Sequence, residues 1–444
     1  MAKLYIGLDI GTTAVKACAF LAKGELVAME SRSYPLYTSA QQIAEQDPIE
    51  LKDAAEHALK ALLARLNTQP EGIGISTAMH SLLPLGKDHQ PLNRMLTWAD
   101  TRSIVEVTAF TDSEKSAFLM RTGTPVHPMS PLVKLLWLKK AAPKLWAQMA
   151  YVADIKSFLV QQWTTDGLLI DTNLASATGL YHLQQGKWDS EGLAKVALRS
   201  TQLPNVVQPT HPLHWKEEVA VKLGSTNIPL FIGGSDGCLA NLGSKLLSPE
   251  VAALTIGTSG AVRATHRKAN LSASYGLFNY HLFKDYFVVG GATNNGGKIL
   301  EWLFNHLNHP FENIGEMIEA AAKVESEGLQ FLPFVFGERA PIWDANASGS
   351  FTGIRSHHQP AQFARAALEG VCDNIVVILR QLEKAIGPVE KIVAGGGFTA
   401  SPFWLDMLTK KSNRHIEIAP SNQTSAYGAA LMVRLGLFTV LLSG

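Results

Sequence analysis

Several features that assign chains to common protein classes are scarce in these 444 residues. The three cysteines, Cys18, Cys238 and Cys372, lie far apart and form neither a metal-type spacing nor a disulfide framework, which predicts reduced thiols and a cytoplasmic location. The formal net charge is only +1, and no run of Lys or Arg is present. We therefore expect no binding to nucleic acid or to a membrane surface, and local cations would have to meet an anionic substrate.

Segments typical of export and of one large class of phosphate-binding proteins are also missing. The N-terminus shows no charged leader before an apolar core, so we expect no signal peptide. The apolar run Leu435–Leu442 is too short to cross a bilayer. A Walker A loop is absent because Gly296-Gly297-Lys298 is followed by Ile299 instead of Ser or Thr.

The amino-acid composition and the order of the predicted segments favour a globular α/β protein. Hydrophobic residues make up 46% and charged residues 17% of the chain, which permits large cores, and the length suits two domains. Strand-like and helix-like segments alternate throughout. Strands are predicted over residues 4–20 and 25–33, and helices over 48–66, 131–140 and 151–163.

The segment Tyr5–Phe20 is the most informative part of the chain. A strand ends in Asp9, turns at Gly11, Thr12 and Thr13, and continues as a second strand that carries Lys16. Backbone amides of a tight glycine turn can point at an anion, the threonines add hydroxyl donors, and Asp9 offers an oxygen to a hard cation such as Mg²⁺. The turn is therefore interpreted as a phosphate site, although an ordinary polar hairpin has similar residues.

The same order returns in the second half of the chain. Residues 251–256 are a predicted strand, Gly257, Thr258 and Ser259 form a turn, and residues 261–265 form a strand that leaves it. The similarity predicts two related halves, each with its own phosphate turn. We place the boundary near Ser244, which gives domains 1–244 and 245–444.

Asp236 is the candidate catalytic residue. It lies in Gly233-Gly234-Ser235-Asp236-Gly237, directly after an apolar strand, and the glycines leave space for a ligand to reach the carboxylate. An Asp in such a position can accept a proton from a substrate hydroxyl as its oxygen attacks phosphorus. The alternative is a turn Asp that bonds its own backbone.

The triplet Gly395-Gly396-Gly397 allows two interpretations. Gly395, Gly397 and Ala400 fit the dinucleotide pattern G-x-G-x-x-A, with Glu417 near the expected acidic position, which would suggest a dehydrogenase. Such a fold needs several further βαβ units, and few residues remain. We therefore interpret the triplet as a floor for a nucleotide base or ribose.

A cluster of polar and aromatic residues suits a polyhydroxylated ligand, because rings cover C–H faces while His and Asp bind hydroxyls. Its members are Met79, His80, Trp98, Asp100 and Arg102. The segment Gly337–Pro341 mixes charged and turn residues, and is either an internally paired surface loop or a loop that meets the substrate.

These motifs together resemble the FGGY carbohydrate kinases of the actin/hexokinase superfamily. Residues 9–13 match the first phosphate motif, residues 129–138 the first family signature, and residues 349–354 and 363–366 the second signature. Residues 257–259 resemble the second phosphate motif. Gly395-Gly396-Gly397 resembles the adenosine motif.

Within the family, residues 76–82, 97–102 and 123–129 resemble gluconate kinases, while xylulose kinases share the Met-His pair and the catalytic Asp motif. The resemblance implies two ribonuclease-H-like domains around a cleft, and transfer of phosphate from ATP to a sugar or sugar acid, D-gluconate first. Family members continue with further helical segments past Tyr427–Ala430, whereas this sequence ends at Gly444.

The resemblance also implies roles for individual residues. Asp236 would be the general base, Asp9 and Asp236 would hold Mg²⁺, and Arg102 or Arg339 would neutralise the gluconate carboxylate. The residues implied for ATP are Gly11, Thr12, Thr13, Lys16, Gly257, Thr258, Gly296, Gly297, Glu301, Gly396 and Gly397. A non-enzymatic actin-like nucleotide-binding module stays an alternative, and the oligomeric state is open, with a homodimer compatible with the sequence.

Overall fold

The computed structural model describes residues 3–39, 42–244, 246–269, 272–419 and 423–443. The strands of the first half are β1 Leu4–Ile10, β2 Ala14–Leu21, β3 Leu26–Ser33, β4 Tyr37–Thr38, β5 Ala44–Gln46, β6 Ile73–Thr77, β7 Leu83–Leu85, β8 Met95–Leu96, β9 Tyr151–Ala153, β10 Leu169–Asp171, β11 Tyr181–His182, β12 Lys187–Trp188, β13 Asn205–Val207, β14 Pro212–Leu213 and β15 Leu230–Ser235. Those of the second half are β16 Val251–Ile256, β17 Gly260–His266, β18 Phe278–Phe283, β19 Tyr286–Thr293, β20 Gln330–Leu332, β21 Ser350–Thr352, β22 Lys391–Gly395 and β23 His415–Ile418.

Helices alternate with these strands along the chain. They are α1 Pro48–Arg65, α2 Asp112–Thr122, α3 Pro131–Ala141, α4 Pro143–Gln148, α5 Ile155–Trp163, α6 Thr172–Ser176, α7 Ser190–Val196, α8 Glu217–Leu223, α9 Asp236–Gly243, α10 Lys298–His306, α11 Ile314–Ala322, α12 Pro360–Ile386, α13 Pro402–Ser412 and α14 Thr424–Ser443. Within the described ranges, no helix has both the length and the apolar character needed to span a bilayer.

Two six-stranded sheets organise the molecule, and five strands of the second repeat the topology of five strands of the first, while the sixth strand lies at opposite edges. The first sheet has the order β14-β15-β6-β1-β2-β3, and the second has β18-β19-β17-β16-β22-β23. In each, an antiparallel meander (β1, β2, β3 or β16, β17, β19) is extended by two parallel strands (β6 and β15, or β22 and β23). This is the α/β, two-unit architecture that the sequence motifs imply.

The strand order places the polar turns at the edge of each sheet. Because β1, β6 and β15 are parallel, their carboxyl ends meet: Ile10, Thr77 and Ser235 end neighbouring strands, and Asp9 directly precedes Ile10. In the second sheet β16 and β22 are parallel, so the turn after Ile256 lies beside the turn after Gly395. Ligands of open α/β sheets bind at such carboxyl ends.

The long helix α12 covers one face of the second sheet. Its residues Leu368, Val371, Ile375 and Ile378 are buried in one cluster with Ile256 and other apolar side chains of the sheet. Gln359 precedes the helix and Pro360 occupies its first turn, where the missing N–H costs nothing.

The terminal helix α14 packs back on the first sheet. A Cβ atom on Gly7 would lie 1.8 Å from the carbonyl oxygen of Ala426, and one on Gly428 would lie 2.0 Å from that of Leu239, so both contacts require glycine. Tyr427 packs against Phe20 with ring centroids 5.2 Å apart. The end of the chain thereby completes the core under β1 and β2.

One predicted helix is wrong in its first part. Residues 151–163 were expected to be a single helix, but Tyr151–Ala153 form β9, which pairs antiparallel with β7. The helix α5 begins at Ile155 because Asp154 caps it, with its carboxylate accepting a 2.6 Å hydrogen bond from the Ser157 amide. The other predicted strands and helices are present, with ends shifted by a few residues.

Candidate active site

The first turn is fixed by contacts to its carbonyl oxygens. The Gly11 amide donates to the Ala14 carbonyl at 3.1 Å, Gln46 donates from Nε2 to the Thr12 carbonyl at 2.6 Å, and the Tyr34 hydroxyl donates to the Gly11 carbonyl. Thr13 is exposed beyond the turn, while Lys16 is half-buried and lies opposite Asp9 in the β1–β2 register. The rigid turn leaves its threonine hydroxyls available to a ligand.

Asp9 and Asp236 carry desolvated carboxylates that influence each other. Desolvation raises the pKa of Asp9 to about 6, the Ser76 hydroxyl lowers it through a 2.6 Å hydrogen bond, and the charge of Asp236 raises it further. Desolvation also raises the pKa of Asp236, against the lowering effect of the Gly237 amide at 2.7 Å and of Arg263. Folding therefore brings together two acids that are far apart in sequence.

A polar network that the sequence analysis missed supports Asp236 from behind. Lys156, which is completely buried, donates from Nζ to the Gly234 carbonyl at 2.6 Å and to Asp171 at 2.8 Å. Asn173 accepts the Ser235 amide at 3.2 Å and donates to carbonyls of His281 and Leu282 in the second sheet. These bonds fix the end of β15, and with it the start of α9 at Asp236.

The second turn packs on the start of α10. The Gly297 amide donates to the Gly257 carbonyl at 2.7 Å, and the Lys298 amide donates to the Thr258 carbonyl at 3.2 Å, while the Thr258 side chain is exposed. Gly396 has φ +98°, and a Cβ atom there would lie 2.3 Å from the Ile256 carbonyl, so glycine is required beside this turn.

A cavity of about 550 Å³ opens beside these glycines. It is large enough for a nucleoside, and apolar side chains such as Phe398 and Trp404 form part of its wall. Of the residues predicted for the nucleotide, Gly257, Thr258, Gly297, Glu301 and Gly397 line it. Gly396 lines an adjoining cavity of about 410 Å³ with Gly395 and Arg263.

A second cavity of about 220 Å³ lies between the two sheets, beside Asp236. The predicted residues that line it are Thr12, Met79, His80, Trp98 and Asp236, and Ser259 and Gly260 of the second turn join them. The three segments near positions 9, 236 and 258 therefore do meet in one cleft. Trp98 connects its walls, because its indole Nε1 donates to the Thr12 hydroxyl at 3.1 Å.

His80 faces this cavity as a neutral imidazole. Desolvation lowers its pKa to about 3, and the nearby charge of Lys134 lowers it further. Nδ1 lies 2.7 Å from the Ala177 carbonyl, so it carries the proton, and Nε2 lies 3.4 Å from the Tyr280 hydroxyl. A neutral Nε2 is an acceptor suited to a ligand hydroxyl.

Asp100 and Arg102 do not line the cavity. The Asp100 carboxylate is completely buried and accepts hydrogen bonds from the Ala44 amide at 3.1 Å and from Arg102 at 2.7 Å. Arg102 also pairs with Glu45 at 2.5 Å and stacks on Trp137. The guanidinium is thus neutralised by two acids behind the cavity wall, and sugar contact by this pair stays a prediction.

Two arginines of the second sheet side do line the cavity, and neither guanidinium forms an ion pair with an acid of the described residues. Within the described residues the side chain of Arg263 makes no hydrogen bond or ion pair, and desolvation lowers its pKa while Asp236 raises it. Arg339 donates to the Thr293 carbonyl at 2.9 Å and lies over the Trp98 ring at 5.3 Å. Desolvation lowers the pKa of Arg339 to about 10, so this side chain stays cationic near neutral pH.

A buried acid fixes Arg339. Glu338 is completely buried, and its carboxylate accepts hydrogen bonds from Arg339 and Asn294 amides, the Thr293 hydroxyl, and the side-chain amides of Asn295 and Asn374. The segment Gly337–Pro341 is therefore an internally bonded loop that also presents a cation to the cavity, which combines the two interpretations of the sequence. The sequence alone could not choose between the two interpretations. The deciding contacts are the hydrogen bonds between Glu338 and residues 293–295, and no local sequence pattern shows such long-range contacts.

Two phosphate-type turns, two coupled carboxylates and adjacent nucleoside-sized and sugar-sized cavities define a two-domain phosphotransferase of the actin/hexokinase class. The chain belongs to the FGGY family of carbohydrate kinases: the model of the N-terminal domain matches residues 4–243, and that of the C-terminal domain matches residues 252–434. It is an enzyme that transfers phosphate to a sugar, and the family implies ATP as the second substrate.

The relatives of the chain carry names that refer to two different substrates. The chain is 34% identical to a gluconokinase of Bacillus licheniformis, across 99% of this chain and 88% of the relative. It is 27% identical to a xylulose kinase of Staphylococcus epidermidis, across 98% and 88%. A crystal structure of gluconate kinase from Lactobacillus acidophilus superposes with a TM-score of 0.93 at 33% identity, covering 99% of this chain and 90% of that chain. A xylulose kinase from the same organism gives 0.92 at 34%, covering 98% and 90%.

Proposed function

We propose that the enzyme transfers the γ-phosphoryl group of ATP to the primary hydroxyl of D-gluconate, which gives 6-phospho-D-gluconate and ADP. The observation that carries this proposal is the pair Arg263 and Arg339 in the 220 Å³ cavity, because neither guanidinium forms an ion pair with an acid of the described residues. A ketose offers no charge to such a pair, whereas a sugar acid supplies a carboxylate for charge-assisted hydrogen bonds. Arg102, the other candidate, is already neutralised by Asp100 and Glu45.

The chain supplies the acceptor of the hydroxyl proton. The carboxylate of Asp236 lines the sugar cavity, and the Lys156 and Asn173 contacts hold the backbone immediately before it. Asp236 accepts the proton as the alcohol oxygen attacks phosphorus. Thr12, Thr13 and Thr258 donate hydrogen bonds to the phosphates, and the nucleoside lies between Gly297, Glu301 and Gly397.

The acidic pair also suits Mg²⁺. Asp9 and Asp236 are oxygen donors whose pKa values are raised, so a nearby cation would be favourable to both. No group of three or more His, Cys, Asp or Glu residues within the described ranges could hold a metal alone, which fits Mg²⁺ that takes its other ligands from phosphate and water. When bound, the ion would draw charge off the transferred group.

Two further assignments complete the proposal. We place the domain boundary near Ser244, which gives domains 1–244 and 245–444. We also place the protein in the cytoplasm, where reduced cysteines are expected. Cys18, Cys238 and Cys372 are all buried free thiols. Their burial supports that location.

A coupled ADP-release assay across gluconate, xylulose, ribulose and glycerol tests the substrate. We expect the highest kcat/KM with gluconate. A preference for xylulose or ribulose would contradict the gluconate proposal while leaving the kinase family unaffected.

A further inference from the structure

Lys134 is a buried cation with an unusual set of partners. It lies in α3, its side chain is completely inaccessible to solvent, and Nζ donates to three backbone carbonyls. The acceptors are the carbonyls of His80 at 2.8 Å, Thr97 at 2.6 Å and Met129 at 2.7 Å. A lysine ammonium has three N–H donors, so these bonds use all of them.

The three carbonyls belong to three segments that are remote in sequence but adjacent in the sugar cavity. His80 and Met129 line the cavity themselves, and Thr97 directly precedes Trp98, which also lines it. The His80 backbone has φ +63°, a left-handed conformation that is uncommon outside glycine. The hydrogen bond from Lys134 to the His80 carbonyl therefore stabilises a backbone conformation that would otherwise relax.

Among the described residues, no acid accepts a hydrogen bond from this ammonium. Asp100 is near enough to influence its charge, but the Asp100 oxygens accept from Ala44 and Arg102. With every donor committed, Lys134 has none left for a sugar hydroxyl. Its contribution to the reaction must then pass through the residues whose carbonyls it holds.

We propose that Lys134 is a positioning residue that fixes the three wall segments of the sugar cavity in one arrangement. His80, Trp98 and Met129 then present their side chains together to the substrate. The proposal rests on the sugar-kinase activity and is independent of which sugar is phosphorylated. An experiment can therefore contradict this proposal without contradicting the gluconate proposal, and the reverse also holds.

The protonation state of Lys134 gives the proposal a pH dependence. The charged or titratable groups near the ammonium are Asp100, Arg102, His80 and His127. Desolvation lowers the pKa of Lys134 to about 7, while Asp100 raises it and Arg102 lowers it. A neutral amine keeps two N–H donors for three carbonyls, so one wall segment loses its bond as the pH rises.

The direct test compares Lys134→Met with Lys139→Met, an exposed lysine on the same helix, using the sugar that the wild type phosphorylates best. We expect Lys134→Met to raise the KM for sugar by about tenfold or more, as for the loss of a charged hydrogen bond, and the KM for ATP by less than twofold. Lys139→Met should match the wild type. A folded Lys134→Met enzyme with a sugar KM within twofold of the wild type would overturn the proposal.

A readout independent of activity covers the case in which the methionine variant does not fold. Lys134→Gln keeps two N–H donors, and hydrogen exchange of its amides should show faster exchange at residues 79–82, 97–99 and 129–131 together, with residues 297–301 unchanged. Unchanged exchange in all three wall segments would count against the proposal. If neither variant folds, the KM values of the wild type test the proposal. We expect the KM for sugar to rise between pH 7 and 9 relative to the KM for ATP. A constant ratio of these two KM values would refute the proposal.

Discussion

The indole Nε1 of Trp98 donates a hydrogen bond to the Thr12 hydroxyl at 3.1 Å. This single contact joins the wall of the sugar cavity to the first phosphate turn, across 86 positions of sequence. The Thr12 oxygen accepts from Trp98, so its own hydrogen stays available as a donor beside the cavity that Thr12 lines. One hydrogen bond therefore connects the proposed sites of the two substrates.

Replacing Trp98 with Phe keeps an aromatic ring and removes only the donor. The Thr12 hydroxyl would then rotate freely, at a net cost of about 0.5–1.5 kcal/mol for one hydrogen bond. We expect kcat/KM to fall about twofold to tenfold for both sugar and ATP in steady-state assays. In a double-mutant cycle with Thr12→Val, additive losses would show that the contact is unimportant.

Asp236→Asn removes the proposed base with almost no change in shape. A general base contributes about 10²–10⁴ to the rate, so we expect kcat to fall by that factor while ATP binding, measured by calorimetry, changes less than threefold. Asp112→Asn, at a fully exposed position in the first turn of α2, serves as the matched control. Full activity in Asp236→Asn would eliminate the proposed role.

Asp9→Asn is predicted to stabilise the protein near neutral pH while it impairs catalysis. The folded-state pKa of Asp9 is raised to about 6 from 3.8, so the folded protein binds more protons than the unfolded chain between these values. The ionised carboxylate thus lowers the free energy of unfolding above pH 6, and this penalty disappears as the pH falls towards 4.

Chemical denaturation should show Asp9→Asn more stable by about 1–3 kcal/mol at pH 7–8, and equal to the wild type near pH 4. The amide oxygen can still accept from Ser76, so no buried donor loses its partner. A variant that is less stable than the wild type at pH 8 would contradict the assignment of a desolvated, ionised Asp9.

Arg263→Met tests whether the cavity selects a carboxylate. A lost charge-assisted hydrogen bond costs about 1.5–3 kcal/mol, so the KM for gluconate should rise about tenfold to a hundredfold. The KM for a neutral polyol such as glycerol, where turnover is detectable, should not rise. Arg267→Met is the control because this exposed arginine, just beyond β17, pairs with Asp285 outside the cavity. Equal effects on charged and neutral substrates would argue against carboxylate binding.

Gly7→Ala tests how closely the terminal helix α14 packs against β1. The new Cβ would lie 1.8 Å from the Ala426 carbonyl, so α14 must move away from β1, and overpacking of this kind costs about 1–3 kcal/mol. Thermal unfolding should shift down accordingly. Gly397→Ala, where a Cβ meets nothing within 4 Å, should leave the unfolding transition unchanged. Equal stability of the two variants would show that α14 tolerates displacement.

Much of the fold could be predicted because its signals are local. The turn residues Gly11 and Gly257, each between apolar strands, indicated both phosphate turns and the repeat, and the helical periodicity from residue 48 predicted the start of α1 at Pro48. The strand β9 was missed because Asp154 acts as a helix cap, and a single capping residue is easily taken as part of a continuous periodic segment. Edge pairing with β7 then decides the conformation of Tyr151–Ala153.

The sequence by itself determined the family and the two-sheet architecture, because motifs of neighbouring residues record local backbone geometry, and the catalytic role of Asp236 stays a prediction from such a motif. Only the tertiary structure decided which cations line the cavity proposed for the sugar. Arg102 was one of the predicted sugar residues yet is paired with Asp100 and Glu45, whereas Arg263 and Arg339 come from the second sheet and its loop and form no ion pair within the described residues. Charge availability depends on which side chains pair across the fold, and that pairing is a long-range property that no local pattern contains.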